Sequence, residues 1–213
     1  MFHRILSRGI FISMLLASPA LGAENFPPED IIQWKEKGFH GSTTYKFISD
    51  SQNSFIEAVC SSSASSLYLE QKIDLRKTPV LEWEWKVEKD YGPHIDETRK
   101  SGDDYPVRVY VVAQDGLFIK RTRVINYVWS SAQPQGSVWK NAYAKQVQMV
   151  ALQSGLTSRK DRWIRETRNI SDDFFRYHGI RPQYLIGIAI MTDCDDLQTD
   201  MRGWYKKIRF IPA

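Results

Sequence analysis

The chain has 213 residues, with 29 Lys and Arg against 25 Asp and Glu, a formal charge of +4. Setting aside residues 1–22 removes Arg4 and Arg8, leaving 27 basic against 25 acidic side chains, or +2. So small a balance gives no reason to expect nucleic acid as a partner, and about 190 residues can build a core without metals or several disulfides.

The chain opens with a short basic stretch, Met1 to Arg8, followed by an apolar run, Gly-Ile-Phe-Ile-Ser-Met-Leu-Leu, over residues 9–16. Small residues and a proline occupy 17–23. This order predicts a secretory signal peptide over residues 1–22, cut near residues 20–23. The run is shorter than the roughly 20 residues a membrane-spanning helix needs. No Cys follows it to carry a lipid anchor, and no later stretch is long and apolar. The expectation is a periplasmic or secreted protein with one domain over 23–213 and no transmembrane segment after cleavage.

Residues 27–37 form the first helical candidate, with Ile31, Ile32 and Trp34 as its apolar residues and Gly38 at its end. Short strand-like runs follow at 43–48 and 54–59, a serine-rich turn at 61–66, and a strand at 67–73. Residues 79–88 alternate strictly: Leu81, Trp83, Trp85 and Val87 against Glu82, Glu84, Lys86 and Glu88. Period two places one set on a buried sheet face and the other in water, as in an antiparallel sheet. A polar loop of fifteen residues, Asp90 to Asp104, is long enough to suspect function. Further strands are predicted at 107–112, at 120–129 after an Asp115-Gly116 turn, at 145–153 and at 162–167. A short helix at 172–178 has Ser171 as its N-cap and Gly179 at its end. Residues 184–192 are apolar on both faces and read as a central buried strand; a last strand spans 204–211. About eleven strands, two short helices, no repeat and no βαβ rhythm predict an all-β fold. The expected architecture is a single jelly-roll-like antiparallel β-sandwich.

Cys60 and Cys194 are disulfide candidates in an oxidising compartment; two separate buried thiols are the other reading. Clustered acids on loops suit an ion that takes six to eight oxygens, so Asp193 and Asp195 are candidate calcium ligands; the competing role is turn formation. Trp83 and Trp85 share a face with Leu81 and Val87 and read as core. Tyr110 falls on a wet face, and Trp139 follows Gly136 in a polar stretch; both are candidate platforms for sugar rings or peptides. Glu82, Glu84 and Glu88 could in principle supply a glycosidase acid and base with Asp103 or Asp193, but strand alternation alone produces such a row. No His accompanies Cys194, and no Gly-rich phosphate loop or H-E-x-x-H occurs. His94, in the long loop, reads as a solvated side chain. The basic clusters around Lys120 to Arg123, Arg159 to Arg168 and Lys206 to Arg209 read as solvent faces.

Five segments carry a family resemblance: Leu-Glu-Trp-Glu-Trp-Lys-Val at 81–87, Gly-Asp-Asp-Tyr-Pro-Val-Arg-Val-Tyr-Val at 102–111, Asn-Tyr-Val-Trp-Ser at 126–130, Glu-Thr-Arg-Asn at 166–169 and Ile-Met-Thr-Asp-Cys-Asp at 190–195. Together they resemble DUF3047, a family of exported bacterial proteins of unknown function, across residues 26–211. The chain departs from that pattern at Cys194, where the family has Thr, and at Lys207, where it has an acid. The resemblance implies a bacterial, periplasmic protein and brings no activity with it. Two of these segments hold polar residues that a plain core does not require: Asp103, Asp104 and Arg108, and then Arg168 and Asn169 together with Asp193 and Asp195. With Tyr110 and Trp139 they form the expected ligand site, against the alternative of an Arg–Asp network that only ties loops to the sandwich. The leading expectation is a periplasmic module binding a carbohydrate or cell-envelope glycan, with calcium as a candidate ion. The alternatives are a glycan hydrolase or lyase using loop carboxylates, and a non-catalytic module with an envelope protein as partner.

Overall fold

The alternation at 81–87 shows how the architecture arises. In the computed structural model, which describes residues 23–115, 121–155 and 162–213, Leu81, Trp83, Trp85 and Val87 are buried and Glu82, Glu84 and Lys86 are half-exposed. The predicted signal peptide, the Asp115-Gly116 turn beyond Asp115, and Lys120 and Arg159 of the basic clusters lie outside the described residues.

In chain order, β1 (Glu24–Phe26) and a single helical turn α1 (Pro28–Ile31) lead into β2 (Lys35–His40), β3 (Thr44–Ser49), β4 (Ser54–Ser61), β5 (Ala64–Leu69) and β6 (Ile73–Asp74). The alternating segment is β7 (Val80–Val87); after the long loop come β8 (Arg108–Asp115), β9 (Arg121–Ser130), β10 (Val138–Lys140) and β11 (Val147–Ser154). The chain closes with β12 (Ile164–Asn169), α2 (Ile170–His178), β13 (Tyr184–Asp193), β14 (Asp200–Tyr205) and β15 (Ile208–Ile211). One sheet runs β1-β15-β7-β14-β4-β3, with β12 on the other edge of β7. The second runs β10-β11-β9-β8-β13-β5-β2, with β6 also paired to β13. The sheets stack as the jelly-roll-like β-sandwich the sequence predicts. Pairing is antiparallel except between β9 and β11, which run parallel because residues 131–146 carry the chain back along the sheet.

Between the sheets, Trp83 lies 5.3 Å from Trp85 and 5.5 Å from Tyr127, and Trp85 lies 6.3 Å from Trp129. Each such side chain buried contributes about 1.5–3 kcal/mol, so this aromatic cluster is the principal clamp between the layers. A second clamp is covalent: a disulfide joins Cys60 at the end of β4 to Cys194 just after β13, tying one sheet to the other.

Four local expectations change. The helix predicted over 27–37 stops after one turn, because β5 recruits residues 35–40 as an edge strand; Trp34 still packs into the core, edge-on to Phe26. Only Ser62 and Ser63 of the serine run turn; Ser65 and Ser66 lie inside β5, where the Ser65 hydroxyl accepts the Thr43 N–H at 2.8 Å. The last predicted strand is two strands, broken at Lys206-Lys207. Asn169, not Ser171, caps α2, accepting the Asp172 N–H at 3.2 Å.

Candidate functional site: a groove on the outer face of the second sheet

The outward side chains of β5, β13, β8 and β9 form the floor of a groove of about 1100 Å³. Strand register sets their order. Arg108 pairs with Met191, and Met191 with Ser66; two residues further along, Tyr110 pairs with Ala189, and Ala189 with Tyr68; two further again, Val112 pairs with Gly187 and Val124. One wall is β2, with Lys37, Phe39 and His40; the other is the segment before β11, with Asn141, Tyr143 and Gln146. Phe39 is 60% exposed, although it stands on a strand. Asp195 and Asp196, in the turn after β13, border the Arg108 end.

That end is held by a buried network. The Arg108 guanidinium donates from Nε to Asp193 Oδ1 at 2.8 Å, from Nη2 to the other Asp193 oxygen and to the Asp103 carbonyl, and from Nη1 to the Tyr110 hydroxyl at 3.1 Å. Its plane lies 4.4 Å from the centre of the Tyr105 ring. Asp103 accepts two hydrogen bonds from Asn141 Nδ2, at 3.0 and 2.8 Å; burial pushes its carboxyl above the usual range while Arg108 pulls it down. Asp104 is fully buried and accepts the N–H groups of Asp196 at 3.3 Å and Leu197 at 2.6 Å. Burial pushes its pKa up to about 6, against the opposing pull of those hydrogen bonds and of Arg108. Losing one partner of a buried ion pair costs about 3–5 kcal/mol, so the network fixes the shape of the groove end.

The expected calcium pair separates. Both Asp193 oxygens are engaged by Arg108, and Oδ1 also accepts the Tyr105 N–H at 3.1 Å, so Asp193 is a structural anion and not a cation ligand. Asp195 instead joins Asp104 and Asp196; one oxygen of each lies within 4.8 Å of the others. Tyr143 donates its hydroxyl to Asp196 at 2.5 Å, closing the corner of the groove.

The other expected ligand residues lie elsewhere. Trp139 does not line the groove: its indole N–H donates to the Glu97 carbonyl at 3.1 Å, and its ring packs 6.4 Å from Tyr105. It holds down the 90–104 loop, which Glu97 anchors from inside by accepting the backbone N–H groups of Ser131 at 2.7 Å and Gln133 at 3.1 Å. Arg168 and Asn169 belong to the first sheet; Arg168 pairs with Asp173, which also accepts the Tyr127 hydroxyl at 2.7 Å, and Asn169 caps α2. The site expected from both polar sets therefore does not assemble. The glutamates fare likewise: Glu82 pairs with Arg209, Glu84 lies 3.7 Å from Lys206 and Glu88 lies 3.8 Å from Arg202, all on the first sheet. His94 is exposed in the long loop and does not border the groove.

Phe39 and Tyr68 escape the sequence reading; Asp196 belongs to the acid run at 193–196 that suggested calcium, and Tyr143 is one of the chain's many aromatics. Phe39 falls inside the apparent helix cap, Tyr68 on a strand with no marked alternation, and Tyr143 in a segment with no pattern. One signal was visible: residues 184–192 are apolar on both sides, and the side not facing the core supplies Ile186, Ala189 and Met191 to the groove floor.

A family model described as a protein of unknown function, DUF3047, matches residues 32–209. The chain belongs to the DUF3047 family. No curated protein matches it. Among solved structures it is similar to the glycoside hydrolase domain of Endo-D from Streptococcus pneumoniae R6 (9% identity, TM-score 0.41, 84% of this chain and 22% of that one). It is also similar to a family 30 carbohydrate-binding module from a Clostridium thermocellum cellulosomal cellulase (11% identity, TM-score 0.40, 89% and 98%) and to a cellulase derived from Cel12A of Rhodothermus marinus (10% identity, TM-score 0.42, 87% and 99%). The chain thus spans about a fifth of the pneumococcal structure. Among the described residues, no helix is long and apolar enough to cross a membrane.

Proposed function

We propose that this protein, exported by its predicted signal peptide to the periplasm or beyond, binds a cell-envelope glycan in the groove. The supporting observation is one groove that presents the rings of Phe39, Tyr68, Tyr110 and Tyr143 beside the carboxylates of Asp195 and Asp196. Aromatic faces stack on the C–H faces of sugar rings, and a few placed polar groups orient a ligand in a mostly apolar cleft. Binding is favoured over cleavage because the acids at this end whose carboxyls burial pushes up, and which would suit a general acid, are already engaged: Asp103 by Asn141, Asp104 by two backbone N–H groups and Asp196 by the Tyr143 hydroxyl. Calcium, if it binds, has Asp104, Asp195 and Asp196 as its acids, and EDTA would then weaken glycan retention.

The test is affinity electrophoresis through soluble envelope polysaccharides. The protein is expected to be retarded by at least one, and Tyr143→Ala, a change at an exposed side chain, should release it while leaving the circular dichroism spectrum intact. Uniform mobility across the whole panel would sink the proposal. It would favour a protein partner instead, for which the edge strands β2 and β3 expose Phe39, Phe47 and Ile48.

A further inference from the structure

We infer that the glycan bound in this groove carries a hydrocarbon tail, so that the ligand is a glycolipid with its sugar at the carboxylate end and its chain along an aliphatic floor. The inference rests on the glycan reading and adds the tail. It comes from how the strand register divides the groove. At the level of Arg108 and Met191 the surroundings are Asp195, Asp196 and Tyr143 on one side and Lys37, paired to Ser66, on the other. Four residues along β8, roughly 13 Å at strand rise, the floor is Val112 beside Val124, with Val147 paired to Val124 on the next strand and Ile186 adjacent to Gly187. Tyr110 and Tyr68 stand between the two ends.

Branched aliphatic side chains offer no flat ring for a sugar to stack on; they gain free energy by taking methylene groups out of water. An antiparallel sheet with one wet face carries polar residues there, and the first sheet does so with Glu82, Glu84 and Lys86. The second sheet, at its aliphatic end, carries Val112, Val124, Val147 and Ile186, and its polar residues Glu70, Thr122 and Gln146 stand at the margin of that patch. The other end selects among amphiphiles by charge. No ion pair among the described residues involves Asp195 or Asp196. These carboxylates accept hydrogen bonds from sugar hydroxyl or amino groups; they outnumber Lys37, the one lysine lining this end among the described residues, so the balance of charge disfavours the phosphate of a phospholipid or the carboxylate of a fatty acid.

The experiment is isothermal titration of the purified protein with the octyl glycosides of glucose, galactose and N-acetylglucosamine below their micelle concentrations, beside the free sugars and octanoate. At least one octyl glycoside should bind ten or more times tighter than both its own sugar and octanoate. Val112→Asp should cut that advantage below threefold; Ile186→Thr serves the same purpose if the first variant does not fold. Equal affinity for a sugar with and without its tail overturns this inference and leaves the glycan reading standing. Octanoate binding as tightly as every glycoside overturns both, and so does the absence of binding by any probe.

Discussion

The two outer faces of this sandwich obey the same geometry and differ in chemistry. On the first sheet, β7 presents Glu82, Glu84 and Lys86, and each finds a partner: Arg209 and Arg165 for Glu82, Lys206 for Glu84, and the Trp204 ring for the Lys86 ammonium at 4.1 Å. On the second sheet, the equivalent positions of β8 and β13 are Arg108, Tyr110 and Val112, and Ile186, Ala189 and Met191. Only Arg108 is charged, and it is sealed under its own anions. The first face carries paired, exposed charges of the kind worth little each; the second keeps apolar surface beside a buried ion network, as the proposed ligand site would require. The contrast separates fold from function here more sharply than any single residue does.

The largest expected effect tests whether the faces depend on each other. The Cys60–Cys194 bond closes a sequence separation of 134 residues, and in the chain-entropy model its loss costs about 5 kcal/mol. Replacing both cysteines with Ala should therefore lower the midpoint of thermal unfolding by roughly 10–20 °C for a chain this size; an unchanged midpoint would mean the sheets hold together without the staple. Next comes Arg108→Met, which strands Asp193 and Asp103 without their cation and should destabilise by about 3–5 kcal/mol in urea unfolding. A cost under about 1 kcal/mol, the usual worth of an exposed pair, would make the two faces alike after all.

A smaller effect should appear as a pH slope. Asp104 has its folded pKa raised to about 6 from 3.8, so its contribution to stability is fully present below the unfolded value and is lost as pH rises through about 6. The stability difference between Asp104→Asn and wild type should move in the variant's favour between pH 4 and pH 7, as read by urea midpoints at each pH. A constant difference would show that folding leaves the Asp104 pKa at its unfolded value. Least of all, Arg209→Ala on the first sheet should cost below about 1 kcal/mol and lose even that in high salt.

How much of this was legible follows from the range of the interactions. The 81–87 alternation announced β7 and its wet face, because period two is a local property. The double-sided apolar run at 184–192 announced a strand covered on both sides, although whether layer or ligand did the covering was not written there. Arg108, Asp103 and Asp193 stood out as polar residues without a core purpose, and the network reading weighed for them is the one their geometry shows. Trp139 misled because its neighbours are polar in sequence while Tyr105 and Glu97, 34 and 42 residues away, are its neighbours in space. The groove walls were beyond reach for the same reason: β2 becomes a strand only when β5 offers an edge, and Tyr143 meets Asp196 only after 53 residues of intervening chain.

The position of β13 also sets an order of assembly. It lies between β5 and β8, yet it is the thirteenth strand to be synthesised. Until Tyr184 to Asp193 are available, β5 and β8 have no neighbour on their shared side, and both present unpaired edges. Sheets joined by such distant segments fold slowly, and the first sheet waits longer still, because β14 and β15 join β7 to β4 and β1. A chain ending before residue 184 would lose β13, β14 and β15 together and leave unpaired edges in both sheets, making aggregation, rather than a weaker binder, the natural fate of a truncated product.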